Sequence, residues 1–255
     1  MKPLPKPRIG IFDFTDCEGC EVEFINLKEK LLDLLEGVDI VNWRLAKEGN
    51  EPGPFDISFI EGTPVTPHEQ DMLREIRKNS KFLVGLGACA CTGGIPAIVD
   101  DELDRDKFYK QVYPPEYKPV GTEAKPLSAY VKVDYMINGC PVDKCEIERV
   151  LCDLLAGKMP EDRDYPVCLE CKIKENKCLL EDNKPCLGPI TRGGCGAFCI
   201  SYGKRCYGCY GLVKDGNFDA MVERLNEIQD EGETERMLGM FMSESKEYKR
   251  RYGRR

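Results

Sequence analysis

Cysteine is concentrated in one stretch of the sequence, where residues 168–209 hold eight of the fifteen cysteines. They are spaced C-x2-C-x6-C-x7-C-x8-C-x3-C-x6-C-x2-C, and so short a stretch has few residues left to pack around anything but its own thiols. Eight thiols are enough for two centres of four ligands each, and four-cysteine iron–sulfur clusters are the simplest interpretation. Two such clusters in one small module indicate an electron-transfer protein.

Zinc is the alternative interpretation of this cysteine-rich module. The C-x2-C pairs at 168/171 and 206/209 could build one tetrahedral site of four thiolates. The remaining thiols would then form a second site, from Cys178, Cys186, Cys195 and Cys199. The spacing differs from the C-x2-C-x2-C-x3-C-P run of bacterial ferredoxins, so we do not expect a plain ferredoxin domain.

Composition and charge exclude several classes of protein. A chain of 255 residues, 42% hydrophobic, can form one α/β domain and a small additional module. The net charge of −8 argues against a nucleic-acid binder, which would show a basic face. The sequence has no apolar run of 18 or more residues and no secretory leader, so we expect a cytoplasmic protein without a membrane span. Thiols stay reduced there, and dense cysteine then indicates metal rather than disulfides.

The first 155 residues alternate between strand and helix patterns, which predicts a parallel sheet covered by helices on both faces. The predicted strands are Arg8–Phe14, Val38–Leu45, Phe55–Ile60, Lys81–Leu86 and Val131–Ile137. Predicted helices cover residues 21–37, begin at Pro67, and cover residues 143–155. We expect an α/β fold with a five-stranded flavodoxin-like sheet over residues 1–160. A small irregular iron–sulfur domain over 161–212 and a helical C-terminal tail over 213–255 would follow.

Three of the predicted strands end in cysteine. Cys17 and Cys20 follow the first strand, Cys89 follows the fourth, and Cys140 follows the fifth. Because ligands of such sheets bind at the carboxyl ends of the strands, we expect these four thiols to close a [4Fe–4S] site. A flavin site at the same edge is disfavoured, since the loop at residues 15–20 carries carboxylates that would repel a phosphate.

Together these motifs resemble the small subunit of [NiFe] hydrogenases. The matching segments are Asp-Cys-x-Gly-Cys at 16–20, Glu-Gly at 61–62, Gly-x-Cys-Ala-x-x-Gly-Gly at 87–94 and Gly-Cys-Pro at 139–141. The resemblance extends over about residues 8–212. Cys-Leu-Glu-Cys at 168–171 and Cys-Leu-Gly-Pro-x-Thr at 186–191 look like the cytosolic group 3 enzymes. These include the sulfhydrogenase delta subunit and the small subunits of F420-reducing and F420-non-reducing hydrogenases.

The resemblance implies three [4Fe–4S] clusters and an electron relay. The ligands of the proximal cluster would be Cys17, Cys20, Cys89 and Cys140. Those of the medial cluster would be Cys195, Cys199, Cys206 and Cys209, and those of the distal cluster would be Cys168, Cys171, Cys178 and Cys186. It also implies a large-subunit partner that holds the nickel–iron active site, and a further iron–sulfur or flavin subunit. The chain would thus belong to an oxidoreductase acting on hydrogen, without catalytic residues of its own. An iron–sulfur adaptor of a non-hydrogenase complex is the alternative.

Other features separate this chain from neighbouring families. The relative in respiratory complex I shares the strand-end site but lacks the eight-cysteine module. Periplasmic hydrogenases use a histidine where this chain has Cys168, and the single histidine here, His68, is expected at the surface.

Three cysteines and the tail remain. Cys91 and Cys145 are close enough in sequence to the expected ligands to compete with them, and Cys152 is expected in the core. Apolar residues recur at helical spacing after residue 213, which predicts packing against this chain or docking to a neighbouring subunit. They are Phe218, Met221, Leu225, Ile228, Met237, Leu238 and Met240. The segment Asp104–Ser128 is expected to form a surface loop or to contact a partner.

Overall fold

The computed structural model describes residues 5–98, 109–118, 120–121 and 123–253. Its sheet has five parallel strands in the order β2-β1-β3-β4-β5, which confirms the predicted α/β fold with a flavodoxin-like sheet. The strands are β1 (Arg8–Asp13), β2 (Asp39–Trp43), β3 (Phe55–Glu61), β4 (Ser80–Leu86) and β5 (Tyr135–Ile137). Strand β3 is buried along most of its length, as expected for a parallel strand covered on both faces.

Helices cover the sheet and make up most of the C-terminal part. They are α1 (Gly19–Ile25), α2 (Glu29–Gly37), α3 (Pro67–Lys78), α4 (Gly87–Thr92), α5 (Lys144–Leu155), α6 (Val167–Ile173), α7 (Phe198–Ser201), α8 (Phe218–Asn226), α9 (Glu231–Met242) and α10 (Lys246–Tyr252). Helix α3 begins at the predicted residue because Thr66 accepts the Glu69 amide while the Glu69 carboxylate accepts the Thr66 amide.

Two predicted elements differ from the structure. The single helix expected over residues 21–37 was wrong, because Lys28 has a φ of 56°, which an α-helix does not accommodate, and the chain forms α1 and α2 instead. The fifth strand is shorter than predicted. Val131 and Val133 pack against the apolar cluster around Leu127 rather than extending the strand.

The core has three apolar clusters. One covers one face of the sheet and includes Ile11 and Phe59, and a second covers the other face and includes Leu83. The third lies in the C-terminal part, where residues of the cysteine-rich module such as Leu187 pack with Leu225 and other tail residues. Phe218, Met221, Leu225, Met237 and Leu238 of the tail are all buried there, so the tail packs against this chain. The domain boundaries at 160 and 212 stay predictions.

The segment 104–128 lies partly outside the described residues. In its described part, residues 110–118 are exposed, and the rings of Tyr113 and Tyr117 stack with centroids 4.3 Å apart. Within the described ranges, no helix is both long enough and apolar enough to cross a membrane.

Candidate metal centres

The four strand-end cysteines lie at the carboxyl edge of the sheet. Cys17 precedes α1, Cys20 lies in its first turn, Cys89 lies in α4, and Cys140 follows β5. Burial, followed by the charges of Cys140 and Cys17, raises the pKa of the Cys89 thiol to about 12. Burial and then Glu61 raise the pKa of Cys20, with Cys140 adding to the shift. The four thiols are therefore electrostatic neighbours, and we call them the sheet-edge set.

Glycine at the strand ends lets the loops come together. Gly87, at the start of α4, has a φ of 85°, and a Cβ there would overlap Sγ of Cys20. A Cβ on Gly19 would lie 3.3 Å from Sγ of Cys17. The amide of Ala88 donates to the Gly139 carbonyl at 2.7 Å, which joins the loops after β4 and β5. Backbone therefore lies directly against the thiols.

Glu61, at the end of β3, holds the first cysteine loop in place. Its buried carboxylate accepts the amides of Cys20 at 3.0 Å and Glu21 at 2.7 Å. Burial raises the pKa of Glu61 to about 7, although the two amides oppose this shift. The Glu21 carboxylate in turn accepts the indole N–H of Trp43 at 2.8 Å. The sequence motifs singled out Glu61 but not the hydrogen bond between Glu21 and Trp43. The one sequence signal for that pair was that Trp43 is the single tryptophan of the chain.

A second group of cysteines surrounds a cavity of about 370 Å³ in the C-terminal part. Its lining contains Cys195, Cys199, Cys206 and Cys209, and we call these four thiols the cavity set. Burial and then Cys195 raise the pKa of Cys209 to about 12, with Cys199 also contributing. Cys140 of the sheet-edge set lines the same cavity. The two sets therefore adjoin each other at this cavity.

The third group, which we call the outer set, contains Cys168, Cys171, Cys178 and Cys186. Burial, followed by the charges of Cys186, Cys171 and Cys178, raises the pKa of Cys168 to about 11. A Cβ on Gly188 would lie 3.2 Å from Sγ of Cys168 and 3.6 Å from Sγ of Cys186. The Cys206 amide donates to Sγ of Cys186 at 3.5 Å, so the outer set adjoins the cavity set.

Glu170 links these two sets through α6, where it lies between Cys168 and Cys171. Its carboxylate accepts the amides of Gly194 at 2.7 Å and Ala197 at 3.2 Å, on the loop that carries Cys195. Sγ of Cys195 lies 3.9 Å from Oε2 of Glu170. The resemblance had marked Glu170 only as part of a motif, and the contact with the second loop is visible only in the structure.

The donor chemistry fits iron–sulfur clusters. The cavity set surrounds a space, whereas zinc, with Zn–S bonds of about 2.3 Å, draws four thiolates onto one point. Four thiols around a cavity suit a four-iron cluster. These thiols would bind as thiolates and release their protons on loading.

The remaining cysteines are placed differently from the three sets. Sγ of Cys91 is buried and lies 3.5 Å from the Gly85 carbonyl and 3.6 Å from that of Ile137, inside the packing of α4 on the sheet. Cys145 and Cys152 are exposed. The core prediction for Cys152 was wrong, because α5 buries Ile147, Val150 and Leu151 and leaves position 152 on its solvent side. His68 is exposed, as predicted.

Comparisons with known proteins identify the family of the chain. The family model described as NADH ubiquinone oxidoreductase, 20 Kd subunit, matches residues 17–154. The chain is 41% identical to the delta subunit of sulfhydrogenase 2 from Pyrococcus furiosus, over 92% of this chain and 98% of that protein. The chain belongs to the family of [NiFe]-hydrogenase small subunits. It is also 31% identical to a vhu subunit of the F420-non-reducing hydrogenase from Methanocaldococcus jannaschii, with 89% and 88% of the two chains covered.

A solved structure supports the same assignment for this small subunit. A chain of the NAD+-reducing [NiFe]-hydrogenase in the H2-reduced state matches with a TM-score of 0.53 and 28% identity. The match covers 61% of this small subunit and 94% of that chain. The resemblance stated from the motifs is therefore confirmed. This small subunit is an electron-transfer, iron–sulfur component of an oxidoreductase whose active site lies on the large subunit.

Proposed function

We propose that this small subunit relays electrons between the nickel–iron site of a large subunit and a further redox subunit, through three [4Fe–4S] clusters. The sheet-edge set would hold the proximal cluster, the cavity set the medial cluster, and the outer set the distal cluster. Each cluster, when bound, supplies a site that accepts and releases one electron. A cytoplasmic location, where thiols stay reduced, is part of the proposal.

The observation that carries this proposal is the cavity of about 370 Å³ lined by all four thiols of the cavity set. Contacts between neighbouring sets support the order of the relay. Cys140 lines that cavity on the sheet-edge side, and the Cys206 amide donates to Cys186 on the other side. These two contacts between neighbouring sets support the proposed order of proximal, medial and distal clusters.

The chain's own residues have a supporting role. Glu61 and Glu170 fix the cysteine loops by accepting backbone amides. Apolar side chains, among them Val167, Ile200 and Phe241, line much of the cavity at the proposed medial site. Cys17 and Cys140 are exposed, which suits a site covered by a large subunit. Hydrogen split on that subunit yields two protons and two electrons, and the electrons would leave one at a time through this chain.

Metal analysis tests the number and type of clusters. The complex of this small subunit with its natural partners is purified without oxygen, and its iron, sulfide, zinc and nickel are measured. We expect this small subunit to contribute about twelve iron and twelve sulfide per copy, in addition to one nickel and one iron in the large subunit and any iron–sulfur of the further subunit. Iron without nickel would leave only an electron-transfer adaptor, and zinc in place of iron would overturn the relay.

A variant of each exposed sheet-edge thiol tests the proximal site. Cys17→Ala and Cys140→Ala should each remove about four iron per copy and abolish hydrogen-dependent reduction of benzyl viologen, because the first step of the relay is lost. Cys145→Ala and Cys152→Ala are matched controls, since both thiols are exposed and lie outside the three sets. Full activity and iron content in Cys140→Ala, with the complex intact, would refute the proximal assignment.

A further inference from the structure

The cysteine-rich module carries four large apolar side chains in solvent. The exposed fractions are 48% for Leu169, 74% for Ile173, 62% for Phe198 and 72% for Tyr202. We call these four residues the outer face. Exposed apolar groups of this size, gathered in one place, mark interaction surfaces on soluble proteins.

The four side chains form one surface because α6 and α7 lie side by side. Glu170 of α6 accepts the Ala197 amide at the start of α7, and Asn176 beyond α6 donates to the Ser201 hydroxyl at its end, at 3.0 Å. Leu169 and Ile173 are four residues apart in α6, so they lie on one side of that helix. Phe198 begins α7, and Tyr202 follows directly after its last residue. The rings of Phe198 and Tyr202 are 4.8 Å apart.

The same two helices carry cysteines of two sets. Cys168 and Cys171 of the outer set lie in α6, and Cys199 of the cavity set lies in α7. Cys199 is itself exposed, and Phe198 lines the cavity. A protein that covers the outer face therefore lies against the sites that we assign to the medial and distal clusters.

Charge indicates the chemistry of the partner. Residues 167–214 contain eight basic and four acidic residues, whereas the whole chain has a net charge of −8. Lys172, Lys174 and Lys204 flank the outer face and are exposed, and none of the ion pairs among the described residues involves them. An apolar centre with a charged rim is the usual anatomy of an interface, and a basic rim selects an acidic partner.

We propose that the outer face is the docking surface for the further electron-accepting subunit, and that this subunit presents an acidic rim around an apolar centre. The inference rests on the proposed function, because it takes the neighbouring thiols to hold the last two clusters of the relay. A second copy of this chain fits poorly, since its own outer face is equally basic and would repel this one.

Photocross-linking identifies the occupant directly. A benzoylphenylalanine is placed at Ile173, and at Leu32 as a control with 65% exposure on α2, and the anaerobically purified complex is irradiated. Ile173 should cross-link to an acidic subunit that contains iron–sulfur or flavin and no nickel, and Leu32 should not. Cross-links to the nickel-bearing large subunit, to a second copy of this chain, or to no subunit would each overturn the proposal.

Substitutions test the two parts of the interface. Ile173→Glu and the double variant Lys172→Glu/Lys174→Glu should each weaken retention of that subunit about tenfold, measured by native mass spectrometry over a dilution series. Leu32→Glu and Lys246→Glu are the matched controls, because both side chains are exposed and belong to α2 and α10, which carry no residue of the outer face. Unchanged retention in both test variants would overturn the proposal.

Benzyl viologen separates this proposal from the function beneath it, since a small dye does not need the docked subunit. All variants should retain the large subunit and hydrogen-dependent dye reduction within twofold of the wild type. Failure of the wild-type complex to reduce the dye would refute the hydrogenase relay and the docking surface together. Normal dye reduction with unchanged subunit retention would refute the docking surface alone.

Discussion

Glu170 shows how one residue can serve two sites. Its helix carries two cysteines of the outer set, while its carboxylate accepts two amides of the loop that carries Cys195. A carboxylate that accepts backbone amides in this way fixes the loop, and its charge also acts on any cluster bound at Cys195. Its effect on electron transfer should therefore be electrostatic as well as structural.

Glu170→Gln should raise the midpoint potential of the medial cluster that we propose at the cavity set. The substitution removes a negative charge 3.9 Å from Sγ of Cys195. This change stabilises the reduced cluster more than the oxidised one, because the reduced cluster carries one more negative charge. At an effective dielectric constant of about 20, the change in electrostatic energy between the two redox states has an upper bound of about 4 kcal/mol. A redox titration followed by electron paramagnetic resonance measures it, with exposed Glu175→Gln as the control. A shift of equal size in both variants would contradict a specific role for Glu170.

At the scale of secondary-structure elements, the junctions after the strands carry the chemistry. The turn from β4 into α4 brings the backbone of Gly87 against Sγ of Cys20, which is possible only without a Cβ. The break between α1 and α2 at Lys28 likewise separates the helix that carries Cys20 from the next one. Short elements at the sheet edge thus position the thiols.

Gly87→Ala should destabilise the protein more than Gly49→Ala. Both glycines have positive φ, so both variants lose about 1 kcal/mol to backbone strain, but a Cβ at Gly49 meets no atom within 4 Å. At Gly87 the added Cβ overlaps Sγ of Cys20, which should increase the loss of unfolding free energy by about 1–3 kcal/mol. The same overlap should lower the iron content. Urea denaturation and iron analysis provide the comparison. Equal losses in the two variants would show that contact with Cys20 contributes nothing.

On the scale of the whole molecule, the C-terminal helices complete the cysteine-rich module. Leu238 of α9 is fully buried in the apolar cluster that also contains Leu187, close in sequence to Cys186. Met240 and Phe241 of the same helix line the cavity. The tail is therefore part of the structure around the cavity set, although it contributes no thiol.

Leu238→Ala should cost about 2–5 kcal/mol of unfolding free energy, because it leaves a cavity in this cluster. The variant should also lose iron from the C-terminal sites before the sheet-edge site. Leu32→Ala, at an exposed position on α2, should change stability by less than about 0.5 kcal/mol. Guanidinium unfolding with parallel iron analysis measures both effects, and a stable variant with full iron content would contradict the role given to the tail.

Much of the fold followed from local patterns. Strand and helix alternation predicted the order of the elements, and the start of α3 matched because Thr66 and Glu69 form a capping box within four residues. The predictions were wrong where packing between residues distant in sequence outweighs the local pattern. Cys152 sits among apolar neighbours in sequence, but which face of α5 is buried depends on the sheet beneath it.

The flavodoxin-like sheet and the cysteines at its strand ends could be predicted from sequence alone, as could the resemblance to hydrogenase small subunits. These are properties of residue type, spacing and periodicity, which are encoded locally. Three features were visible only in the folded protein: Cys140 lines the cavity of Cys209, Glu170 joins two loops, and an apolar face stays exposed. Such contacts join residues distant in sequence, and no local pattern specifies which of them meet.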